Sequence, residues 1–287
     1  MEPLPQLKHN KNIKEYTYPN VLAIAGFDGS GGAGIQGDIK TISALGCYAT
    51  SVLTALPVQN TMGVQSVYPI PNKVVEAQLE SILEDIVPDA IKIGMIASSE
   101  LVIIIASILR QYPEIPVVYD PVIASGSGHP LMEATTIQTI VRELFPLISI
   151  LTPNLDEAQV LTQMPVRTIE DMYVAGTKLK TTSGCKSILL KGGHLQTDAL
   201  TSLYFSEDGT IETFESPKYE SNNTHGTGCT LSSAIASYIA QGKSFKEAVT
   251  LAQQYVQNAI YHGIDVKTGK GNGPLNHFFE PLKMIKK

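Results

Sequence analysis

Thr224-His225-Gly226-Thr227-Gly228-Cys229 is the stretch best suited to chemistry. Polar residues Ser221, Asn222 and Asn223 lead into it, and Leu231 to Ala240 follows as a small, apolar, helix-compatible run ending before Gly242. A glycine turn that opens a helix presents N–H groups with no internal partner at the positive end of the helix dipole. Glycines let a ligand approach that backbone closely, so the arrangement suits an anion such as phosphate. A thiol at a helix start is expected to fall below its ordinary value of about 8.5, which would leave Cys229 partly ionised near neutrality. Anion site and base together suggest phosphoryl transfer to a small hydroxyl compound. The plainer alternative is a tight turn at Gly226 and Gly228 with Cys229 as a core thiol.

Six other residues fall at or just past predicted strand ends: Gly26, Gln59, Met95, Asp120, Asn154 and Lys191. In open α/β sheets, ligands collect beyond the carboxyl ends of the strands. Asp120 and Glu157 are candidates for water-mediated magnesium, since magnesium on a nucleotide needs only one or two carboxylates. Asn154 followed by Glu157 is also a capping-box spacing, and Asp120 before Pro121 also suits a turn. Gln59 has a donor and an acceptor end for a heterocycle, Asp38 suits a ligand amino group or the first turn of its helix, and Lys191 suits phosphate charge. His225 with Cys229 raises a cysteine hydrolase, but they flank a glycine turn and no third orienting residue is evident. There is no GxxxxGK[ST], so a P-loop is excluded.

These residues need a scaffold. Val21 to Gly26 is a continuous apolar run typical of a buried strand. Gly29 to Gly34 follows, then helical periodicity from Ile35 to Leu45. The GxGxxG match lacks the acid that a dinucleotide site needs about 20 residues on. Tyr48 to Val58 and Val64 to Ile70 read as strand, and Asn72 to Ile86 as helix. Strand Ala90 to Met95 precedes helix Ser98 to Arg110, which is apolar nearly all round and suggests burial on two sides, a subunit interface among the options. Strand Pro116 to Asp120, loop Pro121 to Pro130 and helix Ala134 to Leu144 come next. Strand Ile148 to Leu151 leads to a helix from Leu155, and helix Ile169 to Thr181 to strand Ser187 to Lys191. Ala199 to Phe205 and Thr210 to Ser216 form an antiparallel pair around Asp208-Gly209. Helices Thr227 to Ala240 and Ser244 to Tyr261 complete the pattern, before loop Gly269 to Pro274. This alternation implies right-handed parallel crossovers and one three-layer α/β/α domain with a mostly parallel central sheet. The expected division is a flexible extension over 1–19 and one domain over 20–287.

The chain has 287 residues, 43% hydrophobic and 17% charged, as in ordinary globular proteins. A net charge of -6 lacks the basic footprint of a nucleic-acid binder. Cys47, Cys185 and Cys229 show no CxxC spacing, which argues against disulfides and structural zinc. No apolar signal core opens the chain. The strongest apolar run, Leu101 to Leu109, is far short of the ~18 residues of a membrane span. A reduced cytoplasmic protein is expected.

Ala25-Gly26, Ser30-Gly31-Gly32-Ala33-Gly34-Ile35-Gln36 with Asp38, Lys40 and Thr41, and Asn223 to Ser232 resemble the hydroxymethylpyrimidine/phosphomethylpyrimidine kinases of thiamin biosynthesis. So do Gln59-Asn60-Thr61, Lys92-Ile93-Gly94-Met95, Asp120-Pro121-Val122, Thr152-Pro153-Asn154-Leu155 and Lys191-Gly192-Gly193-His194. The likeness runs from about Val21 to Phe278. It implies a ribokinase-like fold, a homodimer, and ATP- and Mg2+-dependent phosphorylation of a pyrimidine alcohol and then of its phosphate. It also implies site roles. Cys229 is then the base; Gly226, Thr227, Gly228 and Cys229 form the anion hole; and Gly26, Asp38, Gln59, Met95 and Val122 line the pyrimidine pocket. Asp120, Asn154, Glu157, Lys191 and Thr224 serve ATP, with magnesium at Asp120 and Glu157. The chain departs from the family at Phe27 and Gly29 beside the pocket, and at Gly126 and His129, where a lysine and an aspartate are usual. Two other functions fit the same residues: a vitamin B6 kinase, and a catalytically silent pyrimidine sensor.

Overall fold

The computed structural model describes residues 15–124, 132–193, 195 and 199–287. Gly126, His129 and His194 lie outside the described residues, as does 1–14 of the expected extension.

An eight-stranded sheet forms the middle layer, in the order β10-β9-β8-β7-β6-β5-β1-β2. Its strands are β1 (Asn20–Ala25), β2 (Tyr48–Leu53), β5 (Ala90–Ile93), β6 (Val117–Tyr119), β7 (Ile150–Leu151), β8 (Ser187–Lys191), β9 (Ala199–Phe205) and β10 (Ile211–Pro217). Pairing is parallel from β2 to β8 and antiparallel for β8–β9 and β9–β10. Every residue of β1 is buried, because side chains alternate between two covered faces. Val21, Ala23 and Ala25 join a core with helices α1 (Gly34–Ala44), α7 (Thr227–Ala240) and α8 (Phe245–Tyr261). Leu22 and Ile24 join the opposite core, built with α2 (Asn72–Asp85), α3 (Ser99–Leu109), α5 (Leu155–Thr162) and α6 (Ile169–Thr182). The three-layer, mostly parallel α/β/α architecture is therefore as the alternation implies.

Two expectations change in detail. Tyr48 to Val58 is not one strand: it breaks at Thr54, and β3 (Ala55–Asn60) pairs antiparallel with β4 (Gly63–Pro69) in a separate hairpin sheet. The helix expected over 134–144 is α-helical only as α4 (Ala134–Thr139). It widens to a π turn over Ile140–Leu144 and ends in a 3-10 turn, Phe145–Leu147, whose Pro146 cannot continue an α ladder. Helix α3 is buried on two sides within this chain, against α2 and α4 with its π turn, leaving Ile103 46% exposed. Near the amino end, Thr17 exchanges both backbone bonds with Lys287, so this part of the extension is tied to the tail.

Candidate active site

Parallel pairing puts the carboxyl ends of β1, β5, β6, β7 and β8 along one sheet edge, where Gly26, Met95, Asp120, Asn154 and Lys191 emerge. Helix α7 starts beside the same edge. Its start differs from those of α5, α6 and α8, each closed by a capping box. At α7 the N-cap is Gly226 with φ 87°, and no side chain caps the first N–H groups. Thr227 N turns back to Thr224 O at 3.2 Å, so the N–H groups of Gly228 and Cys229 are the ones this start can offer to an anion. Thr227 Oγ1 donates to Thr224 O at 2.7 Å and holds the turn closed. A Cβ at Gly226 would lie 1.8 Å from Gly32 O, so the two glycine loops touch backbone to backbone.

Asp28 joins these loops. Its carboxylate accepts from Ser30 N (2.9 Å), Ser30 Oγ (2.6 Å), Gly32 N (3.1 Å) and Ala33 N (2.7 Å), and pairs with His225 Nε2 at 2.8 Å. Burial opposes its charge, but His225, Ser30 and Ala33 hold it well below the usual carboxylate range. The His225 ring is therefore engaged with Asp28, away from a hydrolase role with Cys229. Asp28 was missed in the sequence. The available signal was an acid directly before a glycine-rich turn, where its side chain can gather the following N–H groups.

Below Gly228 lies the acid–lysine group. A Cβ there would be 3.3 Å from both Asp120 Oδ2 and Lys191 Nζ. Lys191 Nζ bonds Asp120 Oδ1 at 2.8 Å and stands 3.9 Å from Glu157 Oε2; Thr152 Oγ1 also donates to Asp120 Oδ1, at 3.2 Å. Asp120 Oδ2 thus faces the start of α7. Asn154 and Glu157 form the capping box as well, with Asn154 N donating to Glu157 Oε2 at 2.6 Å. Burial pushes Glu157 up to about 7; Asp120 adds to the shift and Lys191 opposes it. Among the described residues, no three His, Cys, Asp or Glu side chains converge as a metal cage. The donor set does suit a magnesium held mainly by phosphates and water, because Asp120 keeps one oxygen turned toward the Gly228 turn.

Gly26 and Met95 face each other: a Cβ on Gly26 would be 3.4 Å from Met95 Sδ, 3.7 Å from Ala55 O and 3.8 Å from Pro57 Cδ. Thr54 Oγ1 donates to Met95 O at 2.7 Å. Gln59 is not on the sheet edge, as expected from the sequence, but near the end of β3 at a bulge in the hairpin. Its backbone carbonyl lies 3.8 Å from where a Cβ on Gly29 would stand, and the Phe27 ring packs against the same position. The hairpin tip is clasped from the other side: Thr61 O accepts from Asn272 N at 2.9 Å, and Thr61 Oγ1 from Lys270 N and Gly271 N. Val122 is half-buried two residues past Asp120.

Two expectations fail here. Asp38 does not line a pocket: it is 0% exposed, with both oxygens 2.8 Å from Lys92 Nζ and Oδ1 also bonded to Ser233 Oγ. Nor is Cys229 acidified by the helix start. Burial pushes its thiol up to about 11; Lys92 and the Gly34 N–H oppose this, while Asp38 and Asp120 reinforce it. Lys92 and Ser233 were not read as functional, because a lysine inside an apolar strand has no partner visible in the sequence.

An anion-accepting helix start above a lysine flanked by two carboxylates, with a thiol alongside, defines a phosphotransferase of the α/β type. The family model for phosphomethylpyrimidine kinase matches residues 28–276. The hydroxymethylpyrimidine/phosphomethylpyrimidine kinase of Salmonella typhimurium is 44% identical over 260 residues, covering 90% of this chain and 97% of that one. A crystal structure of phosphomethylpyrimidine kinase from Clostridium difficile superposes with TM-score 0.74 at 39% identity, over 84% of this chain and 99% of the other. Pyridoxal kinase from Staphylococcus aureus, solved with AMP-PCP and pyridoxal, gives TM-score 0.84 at 33% identity, over 93% and 96%. The chain belongs to the phosphomethylpyrimidine kinase family. It is a kinase with a ribokinase-like fold, and membership implies ATP as phosphoryl donor.

Proposed function

We propose that the protein phosphorylates 4-amino-5-hydroxymethyl-2-methylpyrimidine and then its monophosphate, in thiamin biosynthesis, as an ATP- and Mg2+-dependent kinase. The observation that carries this reading is Gly228 standing directly over Asp120 Oδ2 and Lys191 Nζ, one residue before Cys229. The terminal phosphoryl group sits at the Gly226–Cys229 turn. Lys191 neutralises its charge, and Asp120, Asn154, Glu157 and Thr224 border the nucleotide end. Asp120 and Glu157 would hold magnesium through water, and the ion would supply further neutralisation of the phosphates. The pyrimidine lies against Gly26, Met95 and Val122, with Gln59 reaching it from the hairpin.

Phosphoryl transfer of this kind is loose, so positioning and charge stabilisation dominate and the acceptor proton leaves late. Cys229 takes that proton as the thiolate. With the thiol near 11, this form is scarce at neutral pH, and turnover rises with pH through the neutral range.

The protein works as a cytoplasmic homodimer, as the resemblance implies; three unpaired cysteines suit a reducing compartment. The likeness to a pyridoxal kinase at TM-score 0.84 favours a second reading, vitamin B6 phosphorylation. ADP release with each alcohol tests both. A higher kcat/KM for the hydroxymethylpyrimidine than for pyridoxal is expected. Preference for pyridoxal reverses the assignment, and tight binding of the pyrimidine without ADP makes the protein a sensor.

A further inference from the structure

Lys92 and Asp38 are both sealed in the core. The ammonium spends two of its three N–H groups on the Asp38 oxygens, and these are its only hydrogen bonds among the described residues. Burying such a pair is costly, and a packed apolar pair of similar volume is often at least as stable. Stability therefore does not explain it.

Position does. Ser233, which donates to Asp38 Oδ1 at 2.8 Å, is one helical turn after Cys229, so both side chains leave α7 on one face. Gly94 sits where a Cβ would be 3.0 Å from Lys92 Nζ, and it precedes Met95 at the pocket wall. The groups acting on Cys229 Sγ come from four sides: Lys92 on β5, Asp38 and the Gly34 N–H on α1, Asp120 past β6, and Lys191 at the end of β8. Lys92 has the largest favourable influence on a charged sulfur.

We propose that Lys92, held by Asp38, which Ser233 in turn fixes, is a positioning residue whose ammonium supports the Cys229 thiolate that then accepts the substrate proton. This rests on the reading of Cys229 given above.

The test is carbamidomethylation of the full chain with iodoacetamide at pH 9, read at Cys229 by peptide mass. K92M/D38N removes both charges at nearly constant volume, and K92M alone, in which Asp38 takes up a proton, is the second variant. Alkylation of Cys229 is expected to slow several-fold, because the loss of Lys92 outweighs the loss of Asp38, which opposes a charged sulfur. An unchanged or faster rate overturns the proposal, and faster is what a merely loosened core gives, since exposure returns a thiol toward its ordinary value. A fall in kcat alongside slower alkylation, with KM for ATP unchanged, is the expected kinetic result. Slower alkylation with normal kcat upholds Lys92's influence on the sulfur and overturns only the role of Cys229 as proton acceptor.

Discussion

Two lysine–aspartate pairs stand on the same parallel sheet with the same 2.8 Å bond, Lys92–Asp38 and Lys191–Asp120. The first pair is 0% exposed on both sides, and both Asp38 oxygens are spent on Lys92. The second is 15% and 3% exposed. Lys191 and Thr152 share Asp120 Oδ1, leaving Oδ2 turned toward Gly228. The difference is depth. Lys92 leaves β5 before its carboxyl end and meets a helix-borne acid beneath α7. Lys191 is the last residue of β8 and meets an acid at the sheet's open edge. A sealed pair can act only through its field, because no ligand reaches it; an edge pair can exchange partners with an incoming phosphate and its cation.

The sharpest way to break this comparison is to remove the edge lysine. K191M is expected to lower kcat/KM for ATP by ~10²–10³-fold, the range for losing a preorganised charge at a transferring group. K92M/D38N should leave the KM for ATP unchanged. Equal losses in steady-state ATP kinetics for the two would show that depth does not separate their roles. The glycines of the α7 turn sharpen the same contrast. G228A adds a methyl 3.3 Å from Asp120 Oδ2 and Lys191 Nζ, and is expected to raise KM for ATP about tenfold with the fold intact. G226A adds one 1.8 Å from Gly32 O at φ 87° and should instead lose stability, by ~2 kcal/mol or more in denaturant melts.

The sequence disclosed the layers and the edge because both follow from local pattern. Continuous apolar runs alternating with helical periodicity fix a parallel sheet, and a parallel sheet sends its strand ends one way. Hence Gly26, Met95, Asp120, Asn154 and Lys191 were legible without coordinates. Partners distant in the chain were not. Asp28 meets His225, and Asp38 meets Lys92 and Ser233, only after the sheet is assembled. Depth was illegible too, so Asp38 read as a pocket acid and Cys229 as an acidified thiol. The break at Thr54 was hidden because no glycine or proline separates Leu53 from Ala55; the pairing alone puts β2 and β3 in different sheets.

The smallest expected effect concerns Glu157, which belongs to both the cap and the edge. Burial raises its folded-state value from 4.5 to about 7. The folded chain therefore holds this proton more tightly than the unfolded chain does. The associated stability is fully present below about pH 4.5 and is lost as pH rises through about 7. Glutamine keeps an acceptor for Asn154 N but carries no charge to desolvate. E157Q should accordingly gain on the wild type between pH 5 and pH 8, by several degrees in Tm, at ~2–4 °C per kcal/mol for chains of this size. Its kcat at saturating ATP should fall a few-fold near pH 8, where Glu157 is charged, and match the wild type near pH 5, because a neutral group is a poorer partner for hydrated magnesium. A gain in stability with a loss in turnover marks a carboxylate held against its own solvation for the nucleotide end. A Tm that drops equally at both pH values would place Glu157 with Asp171 and Glu247, the acids that close the capping boxes of α6 and α8.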